Sequence, residues 1–302
     1  MPAITARGLR KSYHGRPVVD GIDLDVEEGE IFALLGPNGA GKTTTVEMLT
    51  GVRRRDAGEI SVLGLDPDRD RPRLAHVVGV QLQDSQLPDK LRVGEAIALF
   101  ASFYRDPLDG DELLDRLHLT QLRRQPFAKL SGGQKQRLAV ALALVGRPRV
   151  AVLDELTTGL DPKARRETWG LVSGLRESGV TVVLVTHFME EAEYLADRLA
   201  LFEAGRIVAL DTPAGLIAER TAGRQEVRFR LDGDVDAAAD ALRALPDVRS
   251  VTTHGTTIVV TGGGDVVLAV TAHIARAGLT ARDLRVRQAT LDDAILIPGS
   301  DA

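Results

Sequence analysis

The stretch IFALLGPNGAGKTT, residues 31–44, decides the fold. The apolar run Ile31 to Leu35 suits a buried strand, and it opens directly onto a glycine-rich loop. Gly36-Pro37-Asn38-Gly39-Ala40-Gly41-Lys42-Thr43 fits the phosphate-loop spacing G-x-x-x-x-G-K-[ST]. Glycines let backbone N–H groups turn inward and wrap phosphate oxygens. Lys42 is then placed to reach the β- and γ-phosphates, and the Thr43 hydroxyl to ligate Mg²⁺. A chance glycine turn would need neither the strand before it nor the helix predicted to start near Lys42.

Working outward, the bulk properties bound the answer. The chain has 302 residues, enough for two ordinary domains. With 44% hydrophobic and 27% charged residues it reads as a soluble globular protein. No apolar run approaches the roughly 18–20 residues of a membrane span. The N-terminal stretch MPAITARGLRKSY lacks the apolar core of a signal peptide, so the chain is expected to stay in the cytoplasm. Without cysteine there can be no disulfide or thiolate metal site. A net charge of −5 gives no hint of broad nucleic-acid affinity, and 4% aromatic residues argue against base-stacking platforms.

Residues 1–36 read as short strands and turns leading into the strong strand. Further strands are predicted at 58–64 and 77–83. Between about 86 and 145 the apolar spacing becomes helical, which marks a helical subdomain. Its last helix starts at Ser131 and stops near Gly146, with Pro148 just beyond. RVAVLDE and VTVVLVTH are continuous apolar runs suited to central parallel strands. An amphipathic helix over 162–177 separates them. RLALFEAGRIVAL reads as a hairpin turning at Ala204-Gly205. Near residue 222 the texture changes to strand, helix, strand, strand, helix, strand, the order of a ferredoxin-like unit. The expected fold is therefore α/β: a P-loop domain with a mixed sheet and helical subdomain over 1–221, then a small α+β ferredoxin-like domain over 222–302. The tail IPGSDA is expected to be disordered.

Several other residues carry candidate chemistry. Asp154 ends a buried strand, where an unpaired carboxylate is costly and a magnesium ion would compensate it. Glu155, next to it, can polarise a water aimed at a γ-phosphate. His187 follows another apolar run. In open α/β sheets ligands sit beyond the carboxyl ends of the strands, so strands ending at Leu35, Leu153 and Val185 would gather Lys42, Glu155 and His187 at one edge. Gln83 could ligate Mg²⁺ or hold water, with Gln81 as a rival at the same spot. Tyr13 could stack on a base or simply be a partly buried tyrosine. Ser131-Gly132-Gly133 opens a helix as an anion site would. Serine is also an ordinary N-cap, but consecutive glycines there cost stability unless something approaches the backbone. The Arg53-Arg54-Arg55 run reads as a solvated face, and the scattered histidines suggest no zinc site.

GPNGAGKTT, LSGGQKQR, VAVLDE, TTGLDP and VTH, in that order, resemble the ATP-binding subunit of an ABC transporter over about residues 3–220. The last eighty or so residues, closing in TLDDAIL, are similar to the accessory domain of drug-exporter subunits of the daunorubicin-resistance type. The resemblance implies roles for particular residues. Tyr13 would stack on adenine, and Gly36, Pro37, Asn38, Gly39, Ala40, Gly41, Lys42, Thr43 and Thr44 would cradle the phosphates. Gln83 would touch Mg²⁺ and water, and Ser131, Gly132, Gly133 and Gln134 would form the signature. Asp154 would serve magnesium, Glu155 would be the catalytic glutamate, Asp161 would belong to the D-loop and His187 would be the switch histidine. Two features depart from the family pattern: Leu156 stands where proline usual to the family would stiffen the loop, and Arg92 where threonine is frequent.

The implied activity is ATP hydrolysis with ATP and Mg²⁺, coupled to transport by dimer closure. The resemblance further implies a homodimer in which one subunit's signature meets the other's nucleotide. A separate transmembrane permease and a peripheral place on the cytoplasmic face of the membrane go with it, and no nucleic acid. Two other classes compete. A soluble ABC-type ATPase acting on ribosomes or DNA would have two ATPase halves or a long coiled coil, and neither is present. A P-loop metabolite kinase would explain Lys42 but not Ser131-Gly132-Gly133.

Overall fold

Alternating apolar residues fold the N-terminal segment into a hairpin of β1 (Pro2–Tyr13) and β2 (Arg16–Glu27), joined through His14 and Gly15 at positive φ. These are two long strands where short ones were predicted. Slips in the ladder, for example between Ala6 and Leu9, interrupt the alternation without ending the pairing. The computed structural model describes residues 2–81 and 87–296. Among the described residues no helix is long and apolar enough to cross a membrane.

After the hairpin come β3 (Ile31–Leu35), α1 (Lys42–Leu49) and β4 (Ala57–Val62), the last pairing with β1 in a three-stranded sheet ordered β2-β1-β4. A single helical turn, α2 (Arg71–Leu74), leads to β5 (Val78–Gln81). The helical region holds α3 (Val93–Ala101), α4 (Gly110–Arg116) and α5 (Gly132–Leu144). Asp109 caps α4 by accepting from the Asp111 and Glu112 amides. Then β6 (Val150–Asp154), α6 (Pro162–Glu177), β7 (Thr181–Thr186), α7 (Met189–Leu195), β8 (Arg198–Glu203) and β9 (Arg206–Asp211) complete the first unit.

Six of these strands form one sheet ordered β5-β6-β7-β3-β8-β9, parallel except for β9. Every residue of β3, β6 and β7 is buried, as continuous apolar strands covered on both faces should be. A single apolar cluster joins the two sheets, with Ile4, Leu9 and Leu24 from one and Phe32, Val152 and Val185 from the other. The parallel register sets Leu35 beside Thr186 and Asp154 beside Val185. Three strand ends therefore open onto one edge.

The second compact unit starts at Pro213. Its elements are α8 (Pro213–Thr221), β10 (Gln225–Leu231), α9 (Val235–Arg243), β11 (Val248–His254), β12 (Thr257–Gly262), α10 (Val266–Arg276), β13 (Ala281–Gln288) and α11 (Leu291–Leu296). The four strands form an antiparallel sheet ordered β11-β12-β10-β13. Its apolar core gathers Val227, Phe229 and Leu231 of β10 with Leu242 of α9 and Val270 of α10. Alternation along β10 gives a buried and an exposed face, whereas edge strand β13 is exposed over most of its length.

Candidate nucleotide site

The loop between β3 and α1 is shaped by its glycines. Gly36, Gly39 and Gly41 have φ of 152°, 82° and 99°, a region that side chains rarely adopt. At Gly36 a Cβ would also run into the carbonyl oxygen of Phe202, and at Gly41 it would sit 2.5 Å from that of Val18. A backbone bond ties the loop to the β8–β9 turn, the Gly205 amide donating to the Ala40 carbonyl at 3.1 Å, and a second ties that turn to β2, the Asp20 amide donating to the Gly205 carbonyl at 2.8 Å. Pro37, Asn38, Gly39 and Thr43 are exposed, Thr44 is half-buried, and Lys42 is buried. The Lys42 ammonium donates to the Gly36 and Pro37 carbonyls at 2.7 and 2.9 Å. Burial lowers its pKa, while Glu155 and Asp154 pull it back up.

Asp154 ends β6 as a carboxylate only 1% exposed. Neither oxygen has a partner in normal hydrogen-bond geometry. Burial, reinforced by neighbouring Glu155, pushes its pKa up to about 6, with Lys42 and the nearby Thr43 hydroxyl acting against the rise. A buried acid left this way is one that a bound cation would stabilise. Its carboxylate and the Thr43 hydroxyl are hard oxygen donors, which suits magnesium. The fit to that ion is good on this chemistry. Gln83, the other expected contact, lies outside the described residues, while Gln81 is buried at the end of β5.

Glu155 follows in a left-handed conformation, φ 49°, with its amide bonded to the Val185 carbonyl at 2.9 Å. The turn brings its carboxylate Oε1 to 3.1 Å from His187 Nδ1. A carboxylate only accepts, so Nδ1 carries the hydrogen in this contact. The Thr158 hydroxyl lies 3.5 Å from the other oxygen. Leu156 is fully buried, so an apolar anchor holds this loop.

At the α5 start the Ser131 hydroxyl accepts from the Gln134 amide at 3.3 Å, and the Gln134 side chain accepts from the Ser131 amide at 2.9 Å. This reciprocal pair is a capping box, so the serine does act as an N-cap. Ser131 and Gly132 are exposed. A Cβ on Gly133 would lie 3.3 Å from that of Ala164, so one close neighbour of the glycine pair comes from α6. Asp161 is exposed and caps α6, accepting from Lys163 and Ala164 amides at 2.9 and 3.0 Å. Tyr13 is half-buried with the Arg53 guanidinium 5.2 Å from its ring centre. The Arg53–Arg55 run is less solvated than predicted: Arg53 pairs with Glu47, and Arg55 with Asp66 and Asp68.

The family model described as ABC transporter matches residues 19–158. Daunorubicin resistance ATP-binding protein DrrA3 from Streptomyces coeruleorubidus is 38% identical over 306 residues, covering 99% of this chain and 96% of the relative. Nod factor export ATP-binding protein I from Ralstonia nicotianae is 42% identical over 223 residues, covering 72% and 69%.

The chain belongs to the ABC transporter ATP-binding family.

Solved structures agree on the fold of this ABC ATPase. cbiO1 from Clostridium perfringens, part of the ABC transporter complex cbiONQ, superposes with a TM-score of 0.66 at 28% identity, covering 73% of this chain and 92% of that one. A dimeric ATP-binding cassette in a post-hydrolysis state with ADP and Pi gives a TM-score of 0.63 at 24% identity, covering 69% and 98%.

Sequence reasoning missed a second layer behind His187. Glu191 in the first turn of α7 is fully buried, its Oε1 accepting from Trp169 Nε1 of α6 at 3.1 Å. The Arg165 guanidinium stands 4.9 Å from the Phe188 ring centre, and that ring is 4.1 Å from the His187 ring. The Trp169–Glu191 bond joins residues 22 apart in sequence, and no local pattern announces these contacts.

Proposed function

We propose that this ATP-binding subunit powers a membrane exporter through closure of an ATP-bound homodimer, with Glu155 as the general base. The observation that carries the reading is the pairing at the strand edge. An orphaned buried acid, Asp154, adjoins a carboxylate tied to His187, with Lys42 close enough for both acids to raise its pKa. Water attacks the γ-phosphorus as its bond to the β–γ bridging oxygen breaks, leaving ADP and phosphate, and the water's proton passes to Glu155. His187 holds that carboxylate in place through Nδ1. Lys42 offsets charge developing on the phosphate oxygens. Asp154 and Thr43 would hold magnesium, with Gln83 as the further ligand that the family resemblance implies, and the ion would supply charge neutralisation on the phosphates.

Exposure of Ser131 and Gly132 at the α5 start supports a ligand arriving from outside the chain, in this reading the partner subunit's ATP. Tyr13 receives the adenine and Asp161 lies at the subunit contact. An apolar hollow of about 170 Å³, lined by Val80, Phe100, Phe127 and Leu142 among others, supports a permease docking at the helical subdomain. Phe103, 64% exposed, meets Phe100 edge-on beside it. The subunit would then sit peripherally at the cytoplasmic face of the membrane. Export is favoured by relatives whose names specify drug resistance or Nod factor export.

Replacing Glu155 with glutamine tests this directly. Hydrolysis is expected to slow by roughly 10²–10⁴-fold, the usual reach of general-base catalysis, while ATP binding persists. Sedimentation with saturating Mg-ATP should show the variant as a dimer. Wild-type turnover in Glu155→Gln would remove the base assignment, and a persistent monomer beside its permease would remove the composite site.

A further inference from the structure

The exposed face of the second unit's sheet contains a local conflict. Strands β10 and β13 pair with Arg228 opposite Arg285 and Arg230 opposite Arg282. Like charges directly opposite one another weaken a ladder. Most arginines of these two strands are relieved by acids: Arg230 by Asp283, Arg282 by Asp232 at 2.7 Å, and Arg287 by Asp293 at 3.0 Å. Arg228 and Arg285 have no such partner among the described residues. The reason is visible in the backbone. The ladder slips between Arg228 and Arg230, and Asp283 adopts φ 53°, uncommon for a residue with a side chain. Bulges of this kind re-aim side chains. Here the acid is delivered to Arg230 and withheld from the in-register pair. A hollow of about 260 Å³ opens at the same place, lined by Arg228, Phe229, Arg230, Thr257, Asp283 and Arg285.

The geometry points to an anion site for a phosphate group on this sheet face, gripped by the Arg228 and Arg285 guanidiniums with the Thr257 hydroxyl as a further donor. Two planar forks converging from adjacent strands suit the several oxygens of a phosphate. The only acid in the lining, Asp283, is already neutralised by Arg230. Local conflicts of charge and backbone are tolerated where a site needs them. Nothing in this inference depends on the nucleotide site, because both arginines lie in the other compact unit. The phosphate can be that of an anionic lipid headgroup or of a free anion, and the two sources are separable.

Purified full chain would be sedimented with phosphatidylglycerol vesicles and with phosphatidylcholine vesicles, and titrated calorimetrically with pyrophosphate while a saturating non-hydrolysable ATP analogue fills the phosphate loop. Binding in the first arm alone identifies a lipid headgroup, and binding in the pyrophosphate arm identifies a free phosphate. In the responding arm, Arg228→Gln combined with Arg285→Gln should weaken binding roughly 10- to 30-fold, the scale of two surface arginines. Arg285→Asp should abolish binding while leaving the melting temperature unchanged or higher, since it hands Arg228 an ion partner. ATP hydrolysis in solution should match wild type in both variants, and circular dichroism like that of wild type, with cooperative melting, checks that the mutated unit folds. The proposal is overturned if wild type binds in neither anionic arm, if phosphatidylcholine binds equally well, or if the double variant binds like wild type.

Discussion

Asp154 shows how much a single side chain can reveal about its missing partner. Its folded pKa, about 6, lies above the ordinary 3.8, so the folded chain holds a proton there that the unfolded chain has lost. The stability this proton supplies is complete below the ordinary value and disappears as pH rises through about 6. Melting the metal-free chain from pH 4 to 7 should therefore show Asp154→Asn gaining on wild type as pH rises; parallel curves would contradict the burial argument. In the proposed site magnesium would compete with the same proton, so its affinity should climb over that window. A different cost attaches to Glu191. Trp169→Phe removes its hydrogen bond inside the core and is expected to cost about 1.5–3 kcal/mol in urea unfolding, much of it recovered when Glu191→Leu is added. Asp154, Glu155 and Lys42 were legible in the sequence because each sits at a strand end or in a loop with fixed spacing. Glu191 was not, because a buried carboxylate looks like any other helical glutamate until Trp169 is placed against it.

Helix α6 has the strongest claim at the scale of elements. Its first turn carries Asp161 as cap, Ala164 against the Gly133 position, and Arg165 over Phe188, whose ring adjoins that of His187. One rigid turn thus touches both the segment serving the partner's nucleotide and the pair serving its own, in the dimer proposed above. Arg165→Leu is expected to lower kcat for ATP about 5- to 30-fold, the equivalent of 1–2 kcal/mol for a partly desolvated cation–π contact, with KM within twofold. Equal loss of nucleotide affinity would mean that Arg165 only supports the fold. The bounds of α6 and the β8–β9 turn follow from amphipathic spacing and an Ala-Gly pair, both local signals. The length of β1 and β2 was hidden because slips in the ladder break the period-2 alternation that marks a strand. Helix α8 raised no signal of its own, and its contact with α11 is made across the whole second unit.

Across the whole molecule, each of the two compact units has an apolar core of its own among the described residues. Calorimetry should resolve more than one unfolding transition, and Mg-ATP should raise only the one belonging to the first unit, by mass action. A single transition shifted as a whole would mean that the units unfold together. The composition shift near residue 222 was visible in the sequence, because strand and helix patterns restart there, but the placing of α8 with the second unit depends on contacts made far along the chain. The phosphate loop has one more consequence. Its backbone is already bonded to the β8–β9 turn through Gly205, which β2 holds in turn, and lies close against the Phe202 and Val18 backbone. A loop held this way gives up little conformational entropy when a ligand enters, because the ordering was completed during folding. Nucleotide binding to the isolated subunit should then show a small heat-capacity change, without the large signature of coupled folding, and the temperature dependence of ATP affinity should follow the phosphate contacts themselves.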